Sequence, residues 1–111
     1  MLFRSQYEAI FPAINRSKID EVSLEAMGSK VPLNLISHLP DKTIQLGVID
    51  VATNEVETTE AIAALMREAQ KHAAAGQLQL STNCGLAPLP WDVAVAKLRA
   101  LGAGARSLRG A

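Results

Sequence analysis

Two rhythms of apolar residues alternate along the chain, one repeating every second position and the other every three to four. Tyr7, Ile10, Phe11 and Ile14 stand at helical spacing and predict a helix over 6–16. Pro12 falls inside that pattern, so a late start, a kink or an irregular first turn is expected there. Val22 and Leu24 alternate with Glu21, Ser23 and Glu25, which predicts a strand over 20–26. A short helix fits 31–39, with Pro32 tolerated in its first turn, and Pro40-Asp41-Lys42 makes a turn. Residues 43–51, with Ile44, Leu46, Val48 and Ile49, form the strongest strand; Gly47 within it permits close approach of a neighbouring backbone.

The clearest helix covers 59–75. Thr58 or Thr59 can cap it, Glu60 suits its positive end, and Ile62, Leu65, Met66, Ala69 and Ala73 make one apolar face up to a stop at Gly76. A third strand follows over 77–82. Pro90 then opens a last helix whose stripe is Val93, Ala94, Leu98 and Leu101 and which Gly102 or Gly104 is expected to end. The order is α-β-α-β-α-β-α, an α/β class with parallel strands and right-handed crossovers. A complete (β/α)₈ barrel takes about 250 residues. The 111 residues here are therefore expected to form a single unit, 1–111, that is part of a TIM barrel. Three parallel strands leave open edges, which predicts a homo-oligomer or a complementing chain.

Composition removes several functions. Eleven basic and eleven acidic residues cancel, so no electrostatic footprint for nucleic acid or an anionic membrane exists. No apolar run approaches the roughly 20 residues that span a bilayer, and the first residues lack the pattern of a signal peptide. One cysteine cannot form an internal disulfide, and a reducing, cytoplasmic setting is the default expectation.

Candidate chemistry gathers where strands end. The first strand ends in Glu25, the second reaches Asp50, and the third runs into Asn83-Cys84. In parallel strands of one sheet these residues share the carboxyl rim, where α/β proteins carry functional side chains. A carboxylate and a thiolate converging there are donor types that zinc accepts. The same residues also suit structural duties: Glu25 and Asp50 as caps of the following segments, Cys84 as a small buried hydrophobe.

The segments Val22-Ser23-Leu24-Glu25, Leu46-Gly47-Val48-Ile49-Asp50-Val51 continuing to Glu57, and Asn83-Cys84-Gly85-Leu86-Ala87-Pro88-Leu89-Pro90 occur in order. Together with Ala94-Val95-Ala96-Lys97-Leu98-Arg99-Ala100-Leu101 they resemble the C-terminal catalytic barrel of the cobalamin-independent methionine synthase family. The resemblance spans most of 7–109. It implies a zinc-dependent methyltransferase that moves a methyl group from a methylated folate to the thiol of homocysteine, with small-molecule thiol and methyl donor as partners. By motif, Glu25 matches the family's carboxylate zinc ligand, Cys84 its last cysteine ligand, and Asp50 an aspartate with a substrate-positioning role. Asn83, also assigned to positioning, stands where the family commonly has aspartate. The family's His-x-Cys ligand pair is absent before Tyr7, so Glu25 and Cys84 make a two-ligand site and the chain alone is expected to be inactive.

His38 and His72 lie near helix ends rather than strand ends and are set aside as ligands. Trp91 is expected to pack, and Arg99, Arg106 and Arg109 to form a solvated surface. The alternative to an enzyme is a non-enzymatic, oligomerising barrel fragment or scaffold module. A different reaction on the same barrel, such as a decarboxylation, would not need Cys84.

Overall fold

The computed structural model describes residues 4–27 and 32–109. Its elements run α1 (Arg4–Arg16), β1 (Glu21–Glu25), a 3₁₀ helix (Leu33–His38), β2 (Thr43–Ile49), α2 (Thr59–Gln70), β3 (Leu78–Thr82) and α3 (Trp91–Arg109). The three strands form one sheet in the order β1-β2-β3, and both pairings are parallel. The alternating α/β reading therefore holds. Expectations placed on Val31 and on the side chains of Tyr7 and Arg109 fall outside the described residues.

Alternation along the strands separates two faces. Leu24, Ile44 and Leu46 are buried with Phe11, Leu35, Ile36, Ile62 and Met66 in one core under the helices. The opposite positions Glu21, Ser23, Gln45 and Gln79 are polar, and Gln45 Nε2 donates to Glu21 Oε2 at 2.9 Å across the two strands. Such a face suits the lumen side of a barrel better than a second helical layer. Near the rim the β2–β3 register slips by one residue between Gly47 and Ile49, and Val48 and Ile49 are both fully buried. A one-residue slip turns the following side chains to the other face.

Several boundaries moved for identifiable reasons. Helix α1 starts at Arg4 and continues through Pro12; among its described side chains the buried one is Phe11, whereas Ile10 is 41% exposed. The short helix is 3₁₀, and Pro32 precedes it as the capping residue rather than sitting inside it. Helix α2 is capped by Thr58, whose hydroxyl accepts from the Ala61 amide at 3.0 Å, and it ends at Gln70 instead of 75. Gly76 is not its stop. It takes φ 77° in the turn into β3, a left-handed conformation that glycine adopts at least cost.

Helix α3 begins after Pro90 and passes through both glycines to Arg109. Gly104 is a packing residue: a Cβ there would come within 2.5 Å of Ile62 Cγ2 on α2, so its absence lets the two helices approach. Tertiary contact has overridden weak helix propensity. Gly104→Ala should lower stability by up to about 2 kcal/mol, overpacking against the fully buried Ile62 outweighing the gain in helix propensity. Urea unfolding reads this; a variant more stable than the parent would show that Ile62 can move aside.

Candidate active-site rim

Parallel strands place the carboxyl ends of β1, β2 and β3 on one side of the sheet, and short hydrogen bonds tie these ends together. The Gly47 carbonyl accepts from the amides of Ala26 and Met27 at 2.9 and 3.0 Å, and the Ile49 carbonyl accepts from the Asn83 amide at 2.9 Å. Asn83 then reaches back across the sheet, its Nδ2 donating to the Met27 carbonyl at 2.7 Å. The side chain crosses directly over Gly47. A Cβ on that residue would collide with Asn83 Oδ1 and lie 2.9 Å from Asn83 Cα and 3.2 Å from the Leu24 carbonyl oxygen. The close approach expected at Gly47 is thus to the Asn83 strap.

This strap gives a physical reason for asparagine at position 83. An amide can donate to the Met27 carbonyl, and an ionised carboxylate cannot. Its other end, Oδ1, is buried and without a hydrogen-bond partner among the described residues. A buried acceptor left unpaired costs free energy, so a donor arriving at the rim would be favoured there.

Asp50 follows the last residue of β2 and opens the 50–57 loop. Its Oδ1 accepts from the Ala52 amide at 2.9 Å, and its own amide donates to Glu57 Oε2 at 2.7 Å. The capping alternative is therefore part of what Asp50 does. Behind the loop lies Lys97 of α3, a lysine with no exposed surface. Its Nζ donates to the carbonyl of Asp50 at 2.8 Å, to that of Glu55 at 2.7 Å and to Glu57 Oε1 at 3.0 Å. With Met27 the loop lines a recess of about 190 Å³ that includes Thr53 and Val56.

Glu25 ends β1 and is exposed, and Cys84 is an exposed free thiol two residues beyond β3. The Cys84 carbonyl accepts from the Thr82 hydroxyl at 2.8 Å, fixing the turn that carries the thiol. Cys84 is thus no buried hydrophobe. Carboxylate and thiol are donors zinc accepts, yet a catalytic zinc takes three protein ligands. Among the described residues no group of three or more His, Cys, Asp and Glu is placed to hold a metal. The set present here does not fit a catalytic zinc by itself. His38, in the 3₁₀ helix ahead of β2, and His72, just past the end of α2, are both away from the carboxyl ends of the strands.

Two readings of the last helix need correction. Trp91, expected to pack, is 84% exposed, and Leu98, expected in the buried stripe, is 49% exposed. The buried positions are Lys97 and Gly104, with Leu101 and Leu108 packed against the core. Lys97 and Glu57 were the functional candidates that the strand-end reasoning passed over. The available signal was a lysine at helical spacing from Val93 and Leu101, on a face otherwise small or apolar.

Comparison with known proteins bears on this rim. A family described as "Cobalamin-independent synthase, Catalytic domain" matches residues 2–107. A methionine synthase of Saccharolobus islandicus is 28% identical over 106 residues, covering 94% of this chain and 32% of that protein. A 5-methyltetrahydropteroyltriglutamate–homocysteine methyltransferase of Streptomyces coelicolor is 34% identical over 108 residues, covering 96% of this chain and 14% of that protein. A B12-independent methionine synthase from Shewanella sp. W3-18-1, solved in complex with selenomethionine, superposes with a TM-score of 0.90 at 44% identity. That match covers 95% of this chain and 31% of the solved one. The chain thus spans about a third or less of the length of the proteins it matches.

Proposed function

This chain belongs to the cobalamin-independent methionine synthase family, in its catalytic domain, and on that premise we propose that it supplies one rim of a barrel that methylates a thiol. The reaction is methyl transfer from a methylated folate to homocysteine. The homocysteine thiol gives up its proton and its sulfur forms a bond to the methyl carbon; the carbon–nitrogen bond of the donor breaks with its electron pair left on the folate nitrogen, which takes up a proton in turn. The observation that carries this reading is the likeness to the Shewanella synthase, whose complex holds the selenium analogue of methionine.

The rim supplies binding and orientation. Asp50 Oδ1 is used by the Ala52 amide, which leaves the second carboxylate oxygen for a substrate N–H. Asn83 Oδ1 offers a second acceptor, already desolvated, so a donor placed there forms a hydrogen bond without first stripping water from the protein side. The Asp50 carboxylate, which lines the recess, suits the ammonium group of an amino-acid thiol; Asn83 Oδ1, packed over Gly47, is open only to a donor that enters beneath the strap.

Zinc enters this reading through Glu25 and Cys84 as two of its ligands. A bound zinc would hold the acceptor sulfur as thiolate at neutral pH. Two ligands leave the set incomplete, so methyl transfer requires donors from further polypeptide or a second chain, and the chain alone is inactive. Metal analysis after dialysis against micromolar zinc should therefore give clearly less than one zinc per chain, and Cys84→Ser should lower it further. Tight stoichiometric zinc in a monomer would overturn the two-ligand assignment.

The family domain and the absence, among the described residues, of any helix long and apolar enough to cross a membrane are consistent with small-molecule partners. A cytoplasmic setting completes the proposal.

A further inference from the structure

The Lys97 cluster carries one inference beyond the substrate reading. Lysine has three N–H donors, and all three are used, on the carbonyls of Asp50 and Glu55 and on Glu57 Oε1. Glu57 is equally committed, one oxygen to Lys97 and the other to the Asp50 amide. All three Lys97 donors and both Glu57 oxygens are thus engaged within the protein. Two carboxylates of the cluster keep oxygens that accept no protein donor among the described residues, those of Asp50 and Glu55, and of the two Asp50 is the one that directly follows β2. The chain of contacts runs from α3 to the rim and ends there.

A buried ion pair is a poor way to stabilise a loop, because a well-packed apolar pair often serves as well or better. What it adds is direction. Three hydrogen bonds from one nitrogen fix both ends of the 50–57 loop, and the charge-assisted bond to the Asp50 amide fixes the residue that faces the site. We propose that Lys97 is a positioning residue: through Glu57 it sets the backbone of Asp50, and so the carboxylate that would hold the amino-acid thiol. The substrate half of this statement rests on the reading in the preceding subsection; the loop half does not.

Amide hydrogen exchange and L-homocysteine titration, both followed by NMR on the full chain, test the two halves separately. In Glu57→Gln the side-chain amide can still accept from Lys97 but cannot accept from both groups. Exchange at the Asp50 amide should quicken by about tenfold or more, while Ile44 and Leu46 in β2 stay protected. Lys97→Met should do the same at Asp50, although Lys97 does not touch that amide. Unchanged exchange at Asp50 in Glu57→Gln, with β2 intact, would overturn the proposal, and this variant keeps the test valid should Lys97→Met unfold.

In the titration, millimolar homocysteine should shift the Asp50 and Asn83 resonances of the unaltered chain. Asp50→Asn and Glu57→Gln should each weaken that binding about tenfold or more, and the double variant should lose little beyond either, because the two residues act through one carboxylate. A merely structural role would give additive losses and would count against positioning. No shift at all in the unaltered chain would overturn the substrate reading and the positioning role with it, while leaving the exchange result to decide how the loop is held.

Discussion

Lys97→Met is expected to lower the free energy of unfolding by about 3–5 kcal/mol, the usual result of removing one partner from a buried charge pair. The lysine side chain is wholly buried and that of Glu57 is 8% exposed, so water cannot readily replace the lost ammonium. Methionine fills much of the same volume. The loss is therefore electrostatic and hydrogen-bonding rather than a cavity: the Glu57 carboxylate and the carbonyls of Asp50 and Glu55 all lose their donor. Against a total stability of about 5–15 kcal/mol for a chain of this size, that is a large fraction. Urea unfolding should show the midpoint falling by about 1 M or more. Lys97→Met combined with Glu57→Leu should recover most of it, since an apolar pair avoids the unpaired charge, although the Asp50 amide would still lack its acceptor. A single-variant loss below about 1 kcal/mol would mean that solvent reaches Glu57.

What the sequence could and could not disclose follows from the range of each interaction. Strand alternation at Val22 and Leu24 and at Ile44, Leu46 and Val48 reports burial directly, so the parallel sheet was legible from local period alone. The strand-end residues Glu25, Asp50 and Asn83-Cys84 were legible for the same reason, because parallel order fixes which ends meet. Helix ends were less so. Gly104 reads as a stop until Ile62 is known to lie against it, and that contact joins two helices 42 positions apart. The displacement of Leu98 by Lys97 on the buried face has a similar origin. The four-carbon stem is apolar enough to enter the core, and the acceptors that justify its charge lie 40 to 47 residues upstream. A pattern that scores lysine as polar turns the helix by one position and buries the wrong residue. Asn83 shows the same limit at the rim. Its position was legible, whereas its bond to Met27, 56 residues away, was not.

That bond makes Gly47→Ala the second substitution of large effect, with an expected loss of about 2–4 kcal/mol. Gly47 has an ordinary backbone conformation, so the penalty comes from space alone. The new methyl group meets Asn83 Oδ1, the Asn83 Cα and the Leu24 carbonyl oxygen at once. Overpacking of this kind costs about 1–3 kcal/mol, and forcing Asn83 aside breaks its bond to Met27 for about 1 kcal/mol more. Pairing the change with Asn83→Ala separates the two contributions. Removing the amide clears Oδ1 but leaves Cα at 2.9 Å, and backbone there is held by the Asn83 amide on the Ile49 carbonyl. The double variant should thus regain part of the loss and not all of it. Full recovery would show that the side chain alone obstructs, and no recovery would place the whole strain in the strands. Because the same displacement moves an unpaired acceptor at the rim, homocysteine binding should fall in Gly47→Ala, and Asn83→Ala in the double variant should not restore it even where stability returns.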